Sequence, residues 1–133
     1  MSDALSKEFE RAIDAVCDEQ GWKRTRDEIE VPIDGGRRQI VTLDAFEFDD
    51  EPLVRLASGI GPTEHIDPLH LNTALRLNYG LPHGALALRG DQLVLVDTLM
   101  ADDPDREEIE AVLRYLAETA DHFERTIFGT DEV

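Results

Sequence analysis

The chain has little of the chemistry that binds polyanions. Of its 133 residues only 13 are Lys or Arg, against 30 Asp or Glu, and the formal net charge is −17. Proteins that bind duplex nucleic acid or anionic lipid neutralise phosphates with clustered Lys and Arg. The sequence therefore predicts no nucleic-acid partner and no membrane partner. An acidity of this size is typical of a well-solvated surface that keeps a protein soluble, including in a saline cytoplasm.

Cysteine and long apolar runs are also scarce. Cys17 is the one cysteine, which excludes an internal disulfide framework and a Cys-rich zinc module and fits a reducing compartment. No apolar run approaches the length of a bilayer span. The N-terminal residues lack the basic and apolar regions of a signal peptide. We therefore expect a cytoplasmic protein.

Three segments have the apolar spacing of helices that pack by one face. Helix 1 is predicted over residues 3–20 and ends where Gly21 supplies a left-handed residue. Helix 2 follows Asp67 as N-cap and Pro68 as its first residue, and runs to Gly80. Helix 3 opens at residues 102–105, with proline near its first position, and ends at residue 129.

Between the helices the apolar pattern alternates, and explicit turn residues separate the segments, which is typical of hairpins. Five strands are predicted, over residues 23–33, 37–48, 53–60, 85–89 and 92–98. Short connections within each group favour antiparallel pairing. The expected fold class is α+β: a single domain over residues 1–133 in the order α-β-β-β-α-β-β-α, with helices 1 and 3 on one sheet face. Residues 130–133 are predicted to fray.

No arrangement of residues indicates catalysis. The four histidines do not place two on one helical face, and the acids around residue 102 lack the spacing of a calcium loop. The Gly59–Pro62 segment lacks the third glycine and the Lys-Ser or Lys-Thr pair of a phosphate-binding loop. Cys17 lies on the apolar stripe of helix 1, where an inert buried thiol is expected. We expect no catalytic residue, cofactor or metal.

The pattern also predicts apolar surface that is exposed to solvent. Apolar residues on both faces of a five-stranded sheet leave more area than three helices cover, and uncovered area of this kind marks an interface. The candidates are the second strand, with Ile40, Phe46 and Phe48, and the surroundings of helix 2. The alternative is a monomer in which helix 2 folds over the sheet.

The sequence resembles a known family in its second half. Residues 71–78, the strands 85–88 and 93–97 and the long last helix through His122 and Phe123 resemble class I type III secretion chaperones of the Tir-chaperone type and the related YbjN-like domains. In element order the resemblance extends over nearly the whole chain. It implies a homodimer that holds an extended segment of a client protein and hydrolyses no nucleotide.

The resemblance also implies two surfaces. The dimer interface is expected near helix 2, at Leu71, Leu75, Asn78 and Tyr79. The client-binding surface is expected at Phe9, Ile13, Ile40, Phe46 and Phe48, where a client strand adds to a sheet edge.

Two further functions stay open. A YbjN-like regulatory or sensory domain that binds a small ligand or a folded partner is favoured if His65, His70 and Tyr79 line an enclosed pocket. A hydrolytic or metal-dependent enzyme is the third alternative.

Overall fold

The computed structural model describes residues 4–127, which form one antiparallel sheet and three α-helices. The six strands are hydrogen-bonded in the order β1-β2-β3-β4-β6-β5. This confirms the α+β class and the antiparallel sheet. The elements are α1 (Lys7–Gln20), β1 (Lys23–Thr25), β2 (Glu28–Ile33), β3 (Arg37–Phe48), β4 (Glu51–Pro62), α2 (Pro68–Gly80), β5 (Ala85–Arg89), β6 (Gln92–Met100) and α3 (Arg106–Ile127).

The sheet has six strands rather than five because the predicted first strand is two strands. The chain reverses at Arg26, whose φ is 53°, and β1 then pairs with β2 so that Lys23 lies opposite Glu30. The Arg24 Nε donates to the Arg26 carbonyl oxygen at 3.0 Å across this turn. An Arg-Asp turn lacks the glycine by which tight hairpins are usually identified. The prediction of one continuous strand over residues 23–33 was therefore wrong.

Side-chain and backbone caps set the ends of α1. The Phe9 amide donates to the Ser6 Oγ at 3.1 Å, so the helix begins four residues later than predicted. At its other end Gly21 has φ 74°, and the Trp22 amide donates to the Cys17 carbonyl oxygen at 3.0 Å. The predicted helix stop is confirmed.

The starts of α2 and α3 also depend on aspartates. The His70 amide donates to the Asp67 Oδ1 at 2.9 Å, which confirms Asp67 as the N-cap of α2. In α3 the Asp105 Oδ1 accepts from the amides of Glu107 and Glu108 at 2.9 and 3.3 Å. Pro104 therefore precedes the N-cap instead of opening the helix.

Helices α1 and α3 share one face of the sheet, as predicted. Helix α3 crosses β2, β3, β4 and β6, while α1 packs beside α3 and against β1. The bidentate pair of Arg37 and Asp121, with N to O distances of 3.1 and 3.0 Å, ties the start of β3 to α3. The largest fully buried side chains of this core include Phe9, Ile13, Leu43, Leu56, Leu95, Leu113 and Leu116.

Helix α2 packs against β5 rather than across the sheet. Its Ala74 is buried in the same core as Leu86 of β5. Of the described helices, none combines the length and apolarity needed to cross a bilayer. The predicted end of the last helix at residue 129 and the predicted fraying of residues 130–133 lie outside the described residues.

Candidate binding surfaces

The face of the sheet opposite α1 and α3, called the open face below, carries apolar side chains. Along β3 the residues alternate, so that Val41 and Leu43 are buried under the helices while the intervening side chains point to the open face. Ile40 is 41% and Phe48 71% exposed there, and Phe46 is half-buried. The structure thus brings three of the predicted client-binding residues onto one surface.

The open face is concave. The Arg89 Nη1 on β5 donates to the Thr42 Oγ1 on β3 at 3.0 Å, although β4 and β6 lie between these strands. Three strand spacings in a flat sheet amount to about 14 Å, which is farther than an arginine side chain reaches. The sheet must therefore curl so that β5 approaches β3.

This curl forms a groove of about 400 Å³, called the open-face groove below. Its floor consists of small apolar residues, and two of them, Ala57 and Val94, are only 3% and 1% exposed although they face away from α1 and α3. The groove is lined by Phe46, Arg55, Ala57, Leu88, Arg89 and Val94, among others.

The two arginines of the groove lack carboxylate partners. Neither Arg55 nor Arg89 forms a salt bridge within residues 4–127, and the guanidinium carbon of Arg55 lies 4.4 Å from the centroid of the Phe46 ring. Asp44 also lines the groove and is paired in register with Arg55, without an ion pair. Four arginines elsewhere are paired with acids: Arg24, Arg37, Arg38 and Arg114.

Exposed apolar side chains also lie on α2, and the four residues Leu69, Leu75, Leu77 and Tyr79 are called the α2 surface below. Leu69 is 73%, Leu75 69% and Tyr79 98% exposed. Leu75 and Tyr79 are four residues apart and therefore neighbours on the helix. Leu71, one turn before Leu75, is half-buried and packs against the core. Three of the predicted dimer-interface residues thus lie in one row.

The fourth, Asn78, has a different role. Its Nδ2 donates to the Leu86 carbonyl oxygen at 3.1 Å, and its Oδ1 accepts from the Leu86 amide at 2.5 Å. The side chain thus occupies the outer edge of β5 in the way a neighbouring strand would. Because an edge strand with free backbone groups invites pairing with other chains, Asn78 protects this edge.

The sheet edges are accordingly poor places for a client strand. The outer edge of β5 is occupied at Leu86, and β1 at the opposite edge has only three residues. A client strand that adds main-chain hydrogen bonds at an edge, as the resemblance implies, finds few unpaired backbone groups there. The open face offers more contact area.

The prediction that Phe9 and Ile13 belong to the client-binding surface is wrong. Both side chains are 0% exposed, because the apolar stripe of α1 packs against α3 and the core. They contribute to stability and take no part in the surfaces described above.

The described residues contain no cluster of three or more His, Cys, Asp or Glu side chains placed to hold a metal ion. Tyr79 is almost fully exposed, so it does not line an enclosed pocket with His70, and the side chain of His65 lies outside the described part. Desolvation by burial raises the pKa of the Cys17 thiol, which disfavours the reactive thiolate.

Cys17 is expected to resist alkylation in the folded protein. A maleimide reagent at neutral pH should label it orders of magnitude more slowly than in urea, because the thiol is buried and its pKa is raised. Mass spectrometry over a time course measures both rates. Equal rates in the native and unfolded protein would show that Cys17 is accessible.

Comparison with known proteins assigns the chain to no family. The chain matches no protein-family model, and no curated protein matches it at a significant level. Functional conclusions therefore rest on the open-face groove and the α2 surface.

Proposed function

We propose that the protein is a non-enzymatic cytoplasmic binding module, similar to secretion chaperones, that holds an extended segment of a client protein on its open face. The observation that supports this most is the open-face groove, an apolar concavity on a sheet face that neither α1 nor α3 covers. Ligand sites are concave, mostly apolar and equipped with a few polar groups. The open-face groove has this composition.

The shape of the apolar surface favours an extended chain. From Ile40 to Phe48, β3 spans roughly 27 Å at about 3.4 Å per residue, and its open-face side chains form a long, narrow row in which Thr42 and Asp44 separate Ile40 from Phe46 and Phe48. An extended segment presents alternate side chains to one surface, so it matches such a row better than a compact ligand does. Segments without fixed structure also cover long surfaces readily.

We further propose that two copies associate through the α2 surface. A helix that leaves Leu69, Leu75 and Tyr79 in water exposes several large apolar side chains, and exposed apolar area of this kind marks an interface. A two-fold dimer buries the same patch on both chains. The residues that line the open-face groove belong to strands and not to α2, so pairing through α2 buries none of them directly.

Light scattering tests the dimer. The native protein is expected at twice the 14.9 kDa of one chain, and the double variant Leu75→Lys with Tyr79→Ser at the mass of one chain. Both side chains are exposed, so the variant should keep its fold and its circular dichroism.

Met100→Lys is the matched control, because Met100 is 55% exposed but lies on β6, away from α2. It should remain a dimer. A native protein that is monomeric at tens of micromolar, or a double variant that stays dimeric, contradicts the assignment of the α2 surface.

A further inference from the structure

We propose that the open-face groove selects client segments in which an apolar side chain is flanked by a carboxylate, and that Arg55 and Arg89 are the residues that pair with it. This inference rests on the proposed function, because it specifies the chemistry of the segment held there. It concerns two side chains on different strands, β4 and β5.

The floor of the groove accounts for the apolar part of the segment. Ala57, Ala87 and Val94 are small, and together with Val96 they form a floor without charged atoms. Small residues at the bottom of a concave face leave room that a leucine or an aromatic side chain of the client can fill. Such a side chain also contacts Phe46, which lines the groove beside these residues.

The Arg55 guanidinium is available to bind a carboxylate. Its guanidinium carbon lies over the Phe46 ring, 4.4 Å from the ring centroid, and this cation–π contact restrains the side chain. The guanidinium carries five N–H donors, and their fork matches the two oxygens of a carboxylate. The side chain is thus oriented without its charge being neutralised.

Arg89 has a weak partner that a carboxylate can replace. The hydrogen bond described for its side chain goes to the neutral Thr42 hydroxyl, at 3.0 Å. A guanidinium has five donors, and a carboxylate offers it a negative charge and two acceptor oxygens for bidentate pairing, which a single neutral hydroxyl does not. A client carboxylate above the floor therefore gains a stronger interaction than Arg89 loses.

The local charge is opposite to that of the whole chain. The groove is lined by two arginines and one acid, Asp44, in a protein of net charge −17. At physiological salt, charges beyond about 8 Å are largely screened, so the nearby arginines dominate what a client carboxylate experiences. Asp44 opposes this attraction, and Asp44→Asn should strengthen it.

Fluorescence anisotropy with end-blocked, labelled peptides tests the inference. The probe is Ser-Leu-Ser-Glu-Ser-Leu-Ser, called the Glu peptide, in which the two leucines and the glutamate face one side of an extended chain. Matched peptides carry Gln or Lys in place of Glu. The Glu peptide is expected to bind the native protein at least tenfold more tightly than the Gln peptide, and the Lys peptide least tightly.

Variants assign the effect to the two arginines. In Arg55→Gln with Arg89→Gln the Glu peptide should fall to the affinity of the Gln peptide, and the affinity of the Gln peptide should stay the same. The control Arg38→Gln with Arg106→Gln removes the same charge outside the groove and should preserve the tenfold preference. Asp44→Asn should increase the preference.

The outcomes separate this inference from the proposed function. If the Glu and Gln peptides bind equally well in the groove, the selectivity is wrong while the binding function stands. If none of the three peptides binds, the proposed function itself fails. If octanoate binds more tightly than the Glu peptide and loses affinity in the arginine variant, the occupant is a small amphipathic carboxylate, which overturns the peptide as the ligand.

Discussion

Phe9→Ala is expected to lower the free energy of unfolding by about 3–5 kcal/mol, the range for deleting a buried aromatic side chain and leaving a cavity. Phe9 is 0% exposed and belongs to the main core under α1. Domains of this size are stable by only about 5–15 kcal/mol, so the loss is a large part of the total. Phe9→Ala should therefore have the lowest free energy of unfolding of the single variants proposed for this protein. Urea unfolding followed by circular dichroism measures the change.

Phe48→Ala is the matched control, since it deletes the same side chain at a position 71% exposed on the open face. Its free energy of unfolding should stay within about 0.5 kcal/mol of the native value, while peptide binding weakens. If the two variants lose similar stability, Phe9 is not a core residue and the assignment of α1 to the interior is wrong.

Asn78→Ala is expected to cost about 1–3 kcal/mol, the penalty for leaving buried backbone groups without hydrogen-bond partners. Leu86 is 5% exposed, and both its amide and its carbonyl lose the Asn78 side chain. The Leu86 amide should also exchange its hydrogen faster than in the native protein, because its partner is gone. Hydrogen exchange followed by NMR measures this residue directly.

Asn72→Ala provides the comparison on the same helix. Asn72 is exposed, and its side chain accepts a hydrogen bond from Arg76 at 2.9 Å on the helix surface. Its removal should change stability by less than about 0.5 kcal/mol and leave the Leu86 amide protected. Unchanged exchange of the Leu86 amide in Asn78→Ala would show that Asn78 does not protect the edge of β5.

The elements whose ends are marked by glycine were predictable from the sequence. The bounds of β3 and β5 agree with the predicted residues 37–48 and 85–89. Gly36 before β3 and Gly90 after β5 have φ of 80° and 61°, the left-handed region in which glycine is favoured. The turn at Arg26 carries no such signal, and the division of the first strand was therefore missed.

The surfaces were predictable only in part. Alternation along β3 placed Ile40, Phe46 and Phe48 on one side. A helical stripe, in contrast, shows which residues share a face and does not show what covers that face. Phe9 and Ile13 were assigned to a binding surface on the family resemblance, although both side chains are buried in the core.

No local sequence pattern indicates that Arg55 and Arg89 line the same groove. Arg55 and Arg89 lie on β4 and β5, which are separated in the sheet by β6 and in the chain by α2. Only the register of the sheet and its curl bring them to one groove. The role of Asn78 was missed for a similar reason, since its partner is the backbone of another element.

The most direct test of the central claim, that the open face holds a client segment, is an amide chemical-shift titration of the native protein with the Glu peptide. The largest shifts are predicted at Ala57, Ala87 and Val94, with the amides of the α2 surface and the outer side of α3 unchanged. Shifts confined to α2 or to the sheet edges, with the groove amides unaffected, would contradict it.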